Sequence, residues 1–111
     1  MKNFKIKVPI YKVIIEGYTR DSFLKEFVDY FEEKDIENYD AFCILDPRNK
    51  TDIVFVFEPG APLDVIVHES VHIVNMIFNI CGVQLDLEND ETQSYLTQYI
   101  FKELTAKIYN K

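Results

Sequence analysis

An α+β domain with the element order β-α-β-β-α-α is what this chain of 111 residues predicts. The first half carries short runs of β-branched and aromatic residues broken by turn residues, the pattern of strands. The second half holds two long segments of 3.6-residue apolar periodicity without internal Gly or Pro. Hydrophobic residues at 48% and aromatics at 14% suffice for a folded core, and the length suits one domain over residues 1–111.

The first strand is expected over Ile10 to Glu16. A helix from Ser22 to Lys34 follows, with Phe23, Phe27, Tyr30 and Phe31 on one face and Asp21 or Ser22 as its cap. Ala41 to Leu45 reads as a strand, Asp46-Pro47-Arg48-Asn49 as a turn, and Asp52 to Phe57 as a second strand stopped by Glu58-Pro59-Gly60. Ile53 to Phe57 admits two placements. As an edge strand it could add a peptide as one more strand, whereas five consecutive apolar residues suit a strand buried on both faces. Pro62 near a first turn and Gly82 after Cys81 bracket the next helix. The last twenty or so residues form the final helix, with Tyr95, Leu96, Tyr99, Ile100, Leu104 and Ile108 apolar and Glu88, Asp90 and Glu91 in its first turn.

The bracketed helix carries the most informative string of the chain, His68-Glu69-Ser70-Val71-His72. Both histidines of the protein lie in it. Residues four apart stand one turn above each other, so both imidazoles can reach one metal ion with Glu69 beside them, an HExxH pattern. A chain this short shows such a string by accident on the order of once in a few hundred sequences. At 100° steps, Asp64, His68, His72, Asn75 and Asn79 form one polar stripe, while Ile66, Val67, Val71, Ile73, Val74, Ile77, Phe78 and Ile80 surround it. A mostly buried helix with one polar side facing a cleft is therefore expected. Asp64, one turn before His68, suits either an orienting partner for an imidazole or a helix-start acid.

The net charge of −7 argues against nucleic acid and anionic membrane as partners. Residues 21–40 hold eight acids against two lysines, which reads as a solvated face. Cys43 and Cys81 stand in apolar surroundings without a pairing pattern, so buried free thiols in a reducing, cytoplasmic setting are expected. No signal peptide is evident at the start, and no stretch reads as a membrane span.

A catalytic zinc usually takes three protein ligands and leaves a position for water. After the two histidines, the third must be a carboxylate or a cysteine, and Glu88, Asp90 and Glu91 are the nearby acids. HExxH followed after about twenty residues by a Glu at the start of a second helix resembles the gluzincin branch of zinc peptidases, the thermolysin-like enzymes among them. Residues 91–100 are similar to the stretch after HExxH in small zincin-like metallopeptidase domains of phages and bacteria. More loosely, the chain is similar to bacterial repressor-cleaving peptidases.

The resemblance spans roughly residues 60–105 and implies a minimal zincin-like domain that hydrolyses a peptide or protein substrate with Zn²⁺. By it, His68, His72 and Glu91 are ligands, Glu88 and Asp90 the alternatives for the third, and Glu69 the catalytic base. Two departures stand out. The thermolysin-like pattern has an Asp four residues after the ligand Glu, where this chain has Tyr95, and no further His is present to steady an oxyanion. Tyr95, Tyr99 and Arg48 are the candidates for that task. A zincin-like binding module that acts through a protein partner without turnover is the other functional class compatible with so short a chain.

Overall fold

The computed structural model describes residues 2–109. Two hairpins and four helices build it: β1 (Phe4–Lys7), β2 (Ile14–Thr19), α1 (Arg20–Glu26), α2 (Glu33–Ile36), β3 (Ala41–Asp46), β4 (Asn49–Phe57), α3 (Leu63–Cys81) and α4 (Glu91–Tyr109). The α+β class agrees with the sequence, and the order β-β-α-α-β-β-α-α adds one strand and one helix to it.

The added strand comes from the first twenty residues. Pro9 to Lys12 reverses the chain, with Ile10 and Lys12 at positive φ (70° and 60°), and Val8 donates its backbone N–H to Val13 across the turn at 2.9 Å. Ile10, the expected start of the first strand, is instead an exposed turn residue, and β2 begins four residues later. Phe4 pairs with Gly17 in the resulting antiparallel hairpin.

The helix expected over Ser22–Lys34 divides. Thr19 caps α1, Phe27 leaves helical geometry at φ −112° and ψ 31°, and α2 starts afresh where the Asp35 carboxylate accepts the Glu32 backbone N–H at 2.8 Å. Phe23 and Phe27 are buried and stack at 4.9 Å, while Phe31 is half-buried and Tyr30 exposed. The aromatic packing on the sheet, together with a second local helix start, overrides continuous helix.

The sheet has the order β1-β2-β4-β3. β2 and β4 run parallel, and the two hairpin pairs run antiparallel. Ile53 to Phe57 therefore lies at the centre of the sheet, not at its edge, and all five residues are buried. The strand left with an open edge beside α3 is β3.

Two apolar clusters face opposite sides of the sheet. Tyr18, Phe23, Phe27, Ile36, Val54 and Val56 form one under α1 and α2. The other joins Ile15, Ile53 and Phe55 to Ile66, Ile73 and Ile77 of α3 and to Ile100 and Leu104 of α4. By length and apolar composition alone α3 could cross a membrane, which corrects the sequence expectation that no stretch does. It packs on the sheet through Ile66, Ile73, Val74, Ile77 and Phe78.

Candidate metal centre

Local chemistry brackets α3 at both ends. Pro62 stands at its N-cap in extended geometry, and Gly82 closes it in the left-handed region at φ 72°, with Val83 donating back to the Phe78 carbonyl at 2.8 Å. The polar stripe is in place, with Asp64, His68, His72, Asn75 and Asn79 all exposed. Val67 and Val71 are exposed as well, so less of the helix is buried than its periodicity implies.

On that stripe the His68 and His72 Nε2 atoms lie 3.1 Å apart, with the rings at 78° to each other. The nearest Glu69 carboxylate oxygen is 3.9 Å from His68 Nε2. Two Zn–N bonds of about 2.0–2.1 Å at a near-tetrahedral angle place their nitrogens about 3.3 Å apart. The imidazole pair is thus spaced as two ligands of one ion would be. The ligand atoms of His68, Glu69 and His72 all fall within 4.8 Å of one another, which makes the three a candidate metal site. Imidazole and carboxylate donors suit zinc and other divalent first-row ions.

Glu69 differs from the histidines in burial. Its side chain is 10% exposed against 68% for His68, because it turns from the stripe towards β3. There its charge faces the Cys43 thiol, and burial, reinforced by that charge, pushes the Cys43 pKa well up. Ser70 donates to the Ile66 carbonyl at 2.7 Å and takes no part in the group. Cys43 is half-buried and Cys81 exposed, so neither thiol is deeply buried as the sequence suggested, although both are free.

A cleft of about 950 Å³ opens over the group along the β3 edge. β3 lies along it from Ala41 to Ile44. α3 gives one wall with His68, Glu69, His72 and Met76, and Phe31, Ile36 and Tyr39 give the other. Tyr39 is not singled out by the sequence, and Cys43 and Tyr30, read there as a buried thiol and a helix-face aromatic, were not placed at the site. Only the alternation along β3, which turns Cys43 towards α3 and Phe42 and Ile44 away, could have marked the thiol.

Glu91 is the first residue of α4 and is exposed, as are Glu88 and Asp90; the structure does not gather these acids into the His68–Glu69–His72 group. Gln93, two residues on, donates to the Asn75 side chain at 3.3 Å, which sets the start of α4 beside the stripe. Asp64 lines a smaller recess with His68 and Glu69. None of Arg48, Tyr95 and Tyr99 lines the cleft. Arg48 is held by Asp46, Glu16 and Glu26 and lies over the Phe27 ring at 4.3 Å. No family model, curated protein or solved structure gives a significant match to the chain.

Proposed function

We propose that the protein is a zinc-dependent metallopeptidase, with His68 and His72 as ligands and Glu69 as general base. The observation that carries this reading is the imidazole pair at 3.1 Å with a buried carboxylate 3.9 Å from one of its nitrogens. Bound zinc supplies a Lewis acid that polarises a carbonyl and lowers the pKa of water to about 7. Glu69 takes the proton of the attacking water and hands it to the leaving amine. The open edge of β3 receives the substrate main chain as an added strand. Glu91 completes the ligand set, a role supported by the Gln93–Asn75 contact two residues away. Glu88 and Asp90 are the alternatives.

Glu69→Gln tests the assignment. Cleavage of an unfolded protein substrate falls by about 10²–10⁴-fold, while zinc, measured by elemental analysis, stays bound at one equivalent. Unchanged cleavage removes Glu69 from the chemistry. Glu91→Ala is expected to weaken zinc binding in the same assay, and unaltered affinity transfers the role to Glu88 or Asp90.

A second reading, a zincin-like module that binds a partner without turnover, is favoured by the acids of α4 standing outside the histidine group. Zinc-loaded wild-type protein that cuts no substrate supports it.

A further inference from the structure

The cleft has two chemically different ends. Tyr30, Phe31, Ile36, Phe42 and Met76 give the larger chamber apolar walls. At the other side of His68 and Glu69 lies a recess of about 310 Å³, lined by Asp40 at the start of β3 and Asp64 in the first turn of α3. Both aspartates are exposed. Chamber and recess share Tyr39, Ala41, His68 and Glu69, so they form one continuous groove. Asp35 and Glu69 add two more acids, and among the described residues no Lys or Arg lines either part. Among the described residues β3 pairs only with β4, which leaves its other backbone edge open along the groove.

We propose that the groove selects an extended peptide with a large aromatic or aliphatic side chain and, about three residues away, a lysine or arginine. The ring or aliphatic chain fills the chamber, and the cation sits between Asp40 and Asp64. The spacing follows from the templating strand, since Asp40 lines the recess alone and Phe42 to Ile44, two to four residues on, line the chamber alone, and an added strand keeps that rise. An acidic side chain is disfavoured in the recess by Asp40 and Asp64, with no Lys or Arg among its described lining residues. This inference rests on the reading of the cleft as the place where a peptide is bound.

The test uses zinc-loaded Glu69→Gln protein, so that bound peptide stays intact, and fluorescence anisotropy with three labelled peptides. One has Phe and Arg three residues apart, the second replaces Phe by Ala, and the third replaces Arg by Glu. The first is expected to bind at least about tenfold more tightly than either of the others. Adding Asp40→Asn and Asp64→Asn removes the penalty for Arg→Glu and leaves that for Phe→Ala, with an unchanged melting curve as the folding control. Equal binding of the three peptides, binding of none, or an arginine preference that survives the two Asn substitutions overturns the proposal. The peptidase reading fails separately. Wild-type protein that cuts nothing while the binding preference persists defeats that reading alone, and cleavage with equal binding of all three peptides defeats only the selectivity.

Discussion

The two cysteines show how neighbours set the chemistry of one residue type. Burial and the nearby Glu69 charge keep the Cys43 thiol protonated, so its thiolate is scarce at neutral pH, whereas Cys81 lies exposed at the end of α3. Iodoacetamide at pH 7.5 is therefore expected to label Cys81 within minutes and Cys43 only after denaturation; mass spectrometry of the time course checks this. The sign of the pH effect follows from the same shift. The folded state holds the Cys43 proton more tightly than the unfolded chain, so the associated stability is fully present below the ordinary thiol pKa of 9.0 and is lost as pH rises above it. Urea midpoints should fall from pH 8.5 to 10 in wild type and less so in Cys43→Ala. Legibility at this scale was uneven. His68, Glu69 and His72 could be read because a helical spacing of four is local, but the Cys43–Glu69 contact joins two elements that no local pattern connects.

Among the elements, helices limited by strong local signals were the most legible. Gly82 and Pro62 bound α3 as their chemistry demands, and α4 keeps the expected apolar positions Leu96, Ile100, Leu104 and Ile108 buried. The segment around α1 was not legible, because Phe27 ends the helix with neither Gly nor Pro to announce it. β1 was missed because four residues of alternating Lys carry only Phe4 and Ile6 inward. In that hairpin the Phe4 ring lies over Gly17, where a Cβ would meet it at 2.1–2.4 Å and force it aside. Gly17→Ala should cost about 1–3 kcal/mol of stability, read as a lowered denaturant midpoint. At the β3–β4 turn, Arg48 ties Asp46, whose side chain is 5% exposed, to Glu16 of β2 and Glu26 of α1. Arg48→Ala leaves Asp46 without its cation and is expected to cost about 1–3 kcal/mol, while zinc affinity stays unchanged because Arg48 lies outside the cleft.

For the whole molecule, α3, α4 and the strands β2 to β4 followed from periodicity, but strand order did not. Periodicity says that Ile53–Phe57 is apolar on both faces; only the parallel pairing with β2 puts it at the centre and hands the open edge to β3. That exchange decides where the cleft lies. A ligand that binds only the folded state also stabilises the fold as a whole. Zinc at a hundredfold excess over its dissociation constant should add about 2.7 kcal/mol, seen as a melting temperature that rises with zinc concentration and returns on chelation. The increment should vanish in His68→Ala.

The parallel seam between β2 and β4 has its own consequence for how the protein is made. Each hairpin closes on itself, β1 with β2 and β3 with β4, but the inner edge of β2 has no partner until Ile53–Phe57 has left the ribosome. At about 5–20 residues per second, that strand waits for a few seconds with Ile15 and its inner backbone edge uncovered. The newborn chain is thus most exposed to aggregation before its second hairpin arrives, and slowing translation between residues 20 and 50 should lower the soluble yield without altering the finished fold.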